Sequence, residues 1–211
     1  MRTRTTVRTA RLAAVGLSLG LALTMTACGS EDTKADADSA VETESSAPAS
    51  ESASAAPAGK EVEVKIGKTF KDPDMGDSIE VISAVRDFPS EEGAETVAEG
   101  GEIVLLQVKV KPGTEYGGLI QDGNFQISWD KGADFWSPDT DDVATELTAA
   151  KRTPFEDVSR RDGGEHTGWI AFEVDEKDDT YVVEYARSGA KVIGSDKTIA
   201  EFKEQVEIPA G

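Results

Sequence analysis

The larger part of this 211-residue chain predicts an all-β fold, an antiparallel β-sandwich, on three observations. From residue 61 onward, apolar residues recur at every second position in short runs. Clusters of Gly, Pro and Asp separate the runs. About seven such runs in about 150 residues suit two sheets packed face to face.

In the first run, Val62, Val64 and Ile66 alternate with Glu61, Glu63 and Lys65. The second, Ser78–Arg86, sets Ile79, Val81 and Val85 on one face. In Glu102–Lys111 the apolar set is Val104, Leu106, Val108 and Val110, while Ile103 and Leu105 make the opposite side apolar too. That predicts a central strand covered on both faces. Phe125, Ile127 and Trp129 form a fourth run; Ile170, Phe172 and Val174 a fifth, opening near His166; Tyr181, Val183 and Tyr185 a sixth after a turn at 175–179. Val206-Glu207-Ile208-Pro209 reads as a closing edge strand, and residues 199–205 suit helix or strand equally. Residues 141–151 pair Val143 with Leu147 at helical spacing behind Thr140, a candidate cap, which predicts a short helix or turn in a long connection.

The first sixty residues have a different chemistry. Arg2, Arg4, Arg8 and Arg11 precede an apolar stretch from Leu12 to Met25, the n-region and h-region of a secretory signal peptide. The stretch is shorter than the ~20 apolar residues that span a bilayer. Met25-Thr26-Ala27-Cys28, followed by Gly29-Ser30, resembles a bacterial lipobox, with Met25 where leucine is usual. The resemblance implies a diacylglyceryl group on the Cys28 thiol, cleavage before Cys28, and attachment to the outer face of the cell membrane. Two or more acyl chains, at ~0.8 kcal/mol for each buried CH₂, hold a protein stably where one is marginal. Cys28 is the single cysteine, so no internal disulfide is expected. Residues 28–60 are Ser, Ala, Glu, Asp, Thr and Pro with Val41 as the one large aliphatic, which predicts a disordered linker with a reach of ~30 Å. The expected organisation is therefore a lipoprotein signal peptide over 1–27, a lipidated linker over 28–60 and a sandwich over 61–211.

The folded part also resembles a family. Gly67-Lys68-Thr69-Phe70 with a turn before the second strand, the long strand Glu102–Lys111, and the glycine-led run Gly163-Gly164-Glu165-His166-Thr167-Gly168-Trp169-Ile170-Ala171-Phe172-Glu173-Val174 carry the likeness. They resemble the telokin-like, immunoglobulin-like domain of unknown function common in lipoproteins of high-GC Gram-positive bacteria. Lys111-Pro112-Gly113-Thr114 departs from the family's usual Asn-x-Ser-like residues after the central strand. The resemblance implies an immunoglobulin-like sandwich and transfers no catalytic residue.

Residues 61–211 hold 34 acids against 16 bases, and the whole chain has a net charge of −19. Such a surface repels phosphate backbones and anionic lipid, which argues against nucleic-acid binding and a peripheral membrane face. Asp72, Asp74 and Asp77, and Asp139, Asp141 and Asp142, are acidic clusters, but neither has the spacing of a calcium loop, so turn formation is the expected role. The single histidine, His166, has no identifiable nucleophile or orienting group beside it. No nucleophile elbow, zinc-protease helix, Walker loop, dinucleotide fingerprint or Cys-x-x-Cys occurs. Phe135, Trp136 and Trp169 are candidates for an aromatic binding patch, with covering of the sheet by the long connection as the competing role.

The expected function is a membrane-anchored, non-catalytic module. It needs no cofactor or metal, its domain is monomeric, and its partner is a protein, wall polymer or small ligand. An envelope hydrolase using carboxylates and His166, and a solute-binding accessory lipoprotein, are the alternatives.

Overall fold

The computed structural model describes residues 60–211. The expected signal peptide, the lipobox-like residues Met25, Thr26, Ala27 and Cys28, and the expected linker up to residue 59 lie outside the described residues.

In chain order the described residues form β1 (Val62–Lys71), β2 (Ser78–Arg86), α1 (Ala94–Glu99), β3 (Glu102–Lys111), β4 (Leu119–Ile120) and β5 (Phe125–Ser128). They continue as α2 (Ala144–Ala149), β6 (Val158–Ser159), β7 (His166–Val174), β8 (Thr180–Arg187), β9 (Ala190–Lys191), β10 (Thr198–Ile199) and β11 (Phe202–Pro209). One antiparallel sheet has the order β1-β2-β3-β7 and the other β11-β8-β5. Four strands against three is the immunoglobulin-like proportion. Two-residue ladders join β4 to β6 and β9 to β10.

The alternation read from sequence explains the packing. Val104, Leu106, Val108 and Val110 of β3 and Ile170, Phe172 and Val174 of β7 point inward, where they meet Phe125 and Ile127 of β5 and Tyr181, Val183 and Tyr185 of β8. The other face of β3 is apolar for a reason. Ile103 and Leu105 pack with Val85, Phe88, Ala171, Val143 and Leu147 in a second cluster, covered by the connection that carries α2. The long connection therefore covers the sheet, as its Val143–Leu147 spacing suggests.

Period two fails at two bulges. The β2–β3 register shifts between Val81 and Ser83, so one extra residue turns the end of β2 over. Val85 consequently joins the outer cluster and not the face of Ile79 and Val81, against the sequence reading, while Ala84 faces the inner core. A matching shift between Lys65 and Lys68 in β1 falls at Gly67, whose φ of +66° suits glycine. Thr140 also differs from expectation. The α2 cap is Val143, and Thr140 is buried, its hydroxyl accepting from the Ala171 N–H at 3.3 Å. Residues 202–209 resolve as strand, fully paired with β8.

Candidate functional site

The register sets two groups of buried charges at opposite ends of the sandwich. β2 starts beside Asp77 and finishes at Arg86; nine residues at ~3.3 Å each separate the ends by about 30 Å. β3, of ten residues, and β8, of eight, also run between the two ends.

At the first end, Arg86 closes β2 and Glu102 opens β3; the register that sets Val85 against Leu105 puts the two on a diagonal of the antiparallel pair, within reach of each other's side chains. Arg86 Nη2 lies 2.5 Å from Glu102 Oε1 and donates at 2.7 Å to the Asp178 carbonyl. Glu102 also accepts from the Asp87 N–H at 2.8 Å and from the Tyr181 hydroxyl. The guanidinium stands 4.2 Å above the Tyr181 ring. Tyr181, the second residue of β8, has its hydroxyl 3.4 Å from the Asp178 N–H, the placement of a tyrosine corner. Burial, then the bond to Glu102, pushes the Tyr181 phenol well above its ordinary pKa. Burial opposes the charge of Arg86, but the Glu102 carboxylate outweighs it and holds the guanidinium pKa above the usual value. A cleft of about 490 Å³ opens here, lined in part by Val62, Asp87, Lys177, Asp179 and Gly211.

At the second end, the turn after β1 supplies Asp72 and Asp77, whose side chains are fully buried. Asp77 Oδ2 lies 2.6 Å from Arg160 Nη2, and Oδ1 accepts from the Gly113 N–H at 2.8 Å. Asp72 Oδ2 lies 2.5 Å from Arg187 Nε, while its Oδ1 accepts from the N–H groups of Asp74 and Met75 at 2.9 and 3.1 Å. Burial opposes ionisation of Asp72, but the bonds from Arg187 and these two backbone groups prevail and lower its pKa. Arg160 Nη1 donates to the Leu119 carbonyl at 2.9 Å. Four connections are thus tied together, those following β1, β3, β6 and β8. Gly113 fits because a Cβ there would stand 1.9 Å from the Met75 carbonyl oxygen.

The loops around this second end carry exposed apolar groups. Leu119 is 50% exposed and Ile193, in the turn between β9 and β10, is fully exposed. Lys197 of that hairpin lies 3.6 Å from Glu115 and 4.9 Å from the centre of the Tyr116 ring.

The sequence candidates fall elsewhere. Trp136 pairs through its backbone with Ile127 and stacks on Trp129, ring centres 3.8 Å apart. Phe135 packs towards Gly132. Trp169 belongs to the outer cluster, beneath Arg152 at 5.2 Å, and Arg152 in turn grips Glu61 with two bonds of 2.9 Å. All three aromatics are half-buried. They do not share one cluster: Trp169 covers the outer face of β7, whereas Trp136 extends the edge of β5.

His166 places Nε2 2.8 Å from the Gly163 carbonyl, bracing a turn. Asp139 accepts from the Glu173 N–H at 3.3 Å. Burial, then the charges of Glu173, Asp142 and Asp175, pushes the Asp139 pKa up. Among the described residues, no group of three or more His, Cys, Asp or Glu side chains is arranged to hold a metal ion. None of the helices among the described residues is long and apolar enough to cross a membrane.

At both charged ends every buried carboxylate faces a guanidinium. Sequence reasoning missed the three arginines Arg86, Arg160 and Arg187. The signal available was an arginine closing an apolar strand, as in Ala84-Val85-Arg86 and Tyr185-Ala186-Arg187, where a charge cannot be buried without a partner. Comparison with known proteins finds no matching family model, no similar curated protein and no similar solved structure.

Proposed function

We propose that the chain is a lipid-anchored protein of the outer membrane face that holds a non-catalytic binding domain at the end of a flexible linker. In this reading Cys28 carries the lipid, the domain is monomeric, and the telokin-like lipoprotein resemblance describes its family. The observation that carries the reading is the polarity of β1. It begins at Val62, paired with Arg86, so the linker joins the sandwich at the Arg86 end. The loops bearing Leu119 and Ile193 gather at the other end, free of the attachment. Four connections locked by buried ion pairs make that end a rigid platform, the kind of scaffold on which binding loops are carried.

The hydrolase reading finds no free buried acid at either charged end, where Asp72, Asp77 and Glu102 are held by arginines, and His166 braces its own turn. Photo-crosslinking in intact cells tests the proposal. A crosslinking residue at Ile193 or Leu119 is expected to trap a discrete partner, one at Asp179 is not, and Cys28→Ala is expected to shed the protein or leave it uncut. Equal trapping from both ends, or full membrane retention of Cys28→Ala, would contradict it.

A further inference from the structure

The two ends differ in one respect that their ion pairs do not explain. At the Arg86 end every buried side-chain nitrogen and oxygen has a partner, while at the Arg187 end two buried side-chain polar atoms have none within the protein, Tyr185 Oη and Arg187 Nη2. Tyr185 is 1% exposed and Arg187 8%. Both project from the same face of β8, two residues apart. A hydroxyl and a guanidinium N–H buried without partners are each costly, of the order of a lost hydrogen bond or more. Two such atoms on adjacent inward positions of one strand point to a common third group.

The charge balance says what kind of group. Asp72 and Asp77 face Arg187 and Arg160, two negative charges against two positive, all buried. An anion would add an uncompensated charge to a neutral interior, and a cation would face the free Arg187 N–H. A neutral molecule that accepts one hydrogen bond and can donate or accept another fits both atoms. Water is the smallest such molecule, and two polar partners meet the minimum a buried water takes.

We propose that the Arg187 end contains a binding site for one ordered water molecule, which accepts from Arg187 Nη2 and hydrogen-bonds to Tyr185 Oη. The water is part of the platform. It joins the aromatic core, where Tyr185 packs 5.1 Å from Phe125, to the ion pair that fixes the turn after β1. Nothing in this site depends on the lipid anchor. The charges of Asp77, Arg160, Asp72 and Arg187 all act on the Tyr185 phenol, behind the larger effect of burial, which agrees with a hydroxyl aimed into the cluster.

Two measurements test it. A crystal structure of the domain at about 1.5 Å, with a parallel bromide soak, is expected to show one spherical peak within ~2.7–3.2 Å of both atoms and no anomalous signal there. An empty site, a bromide peak, or a Tyr185 hydroxyl bonded directly to Asp77 would overturn the proposal. Tyr185→Phe keeps the ring and so the packing. With the water present the variant strands a bridging partner, and its Tm is expected to fall by about 2–4 °C. Without the water the variant removes a hydroxyl that has no partner, so an unchanged or raised Tm would refute the site.

Discussion

The two ends of the sandwich solve the same problem with different materials. At the Arg86 end one glutamate serves an arginine, a tyrosine hydroxyl and a backbone N–H, and the guanidinium is completed by the carbonyls of Asp178 and Asp179. At the Arg187 end two separate aspartate–arginine pairs divide the work and bring four connections together. The first arrangement joins the starts of β3 and β8 where the chain enters and leaves the domain. The second immobilises loops. A buried ion pair adds little net stability over an apolar replacement, yet removing one partner is severe, so such pairs act as geometric locks more than as glue.

That contrast breaks first at Glu102. Glu102→Ala strands Arg86, the Tyr181 hydroxyl and the Asp87 N–H together, and urea unfolding is expected to show a loss of about 3–5 kcal/mol. Asp77→Ala strands Arg160 and the Gly113 N–H but leaves Asp72–Arg187 intact, so about 3 kcal/mol is expected, with hydrogen exchange rising first in the connections after β1 and β3. A uniform rise across the domain would mean that the two ends are not independent. Gly113→Ala perturbs the same end by steric contact alone, forcing the turn after β1 away from Met75; a loss of about 1–3 kcal/mol is expected from thermal melts.

Titration sharpens the contrast. The native pKa of Asp72 lies below its unfolded value, so its contribution is present above the ordinary carboxylate pKa and is lost as pH falls through the native value. Acid should therefore loosen the Arg187 end, and an Asp72→Asn variant should lose part of the acid limb of the stability curve. The tyrosines act in the opposite direction. Tyr181 and Tyr185 are held above the ordinary phenol pKa, so stability is full below about pH 10 and declines as pH rises beyond it. Tyr181→Phe should flatten that decline at the Arg86 end. The smallest effect belongs to the surface: Glu80→Gln, which removes the half-exposed pair with Lys109 between the ends, should leave the melting curve unchanged.

Much of the sheet framework is readable from alternation because each principal strand has one face in the core. The predicted bounds of β2 and β3 agree with those observed, since turn residues flank each alternating run. Trp169 was likewise legible as an outer-face residue from its phase against Ile170 and Phe172. The bulge near Ile82 was not, because alternation carries no mark for one inserted residue, and Val85 was assigned to the wrong face as a result. Helix α1 escaped too: its residues 94–99 include no buried side chain, so no apolar stripe announces them. The charged clusters were hidden for a different reason. Asp77 and Arg160 are 83 residues apart and Asp72 and Arg187 115 apart, so only sheet register brings them together. Local reading saw the aspartates as turn formers, which Asp72 also is.

A free end and an attached end have meaning for this domain only if the chain is held at its N-terminus. Mass spectrometry of the N-terminal peptide of protein purified from native membranes tests this most directly. The expected peptide begins at Cys28 and carries a diacylglyceryl group on sulfur. A peptide retaining Arg2, Arg4, Arg8 and Arg11 with a free Cys28 thiol would contradict the anchor and the presentation of the loops that rests on it.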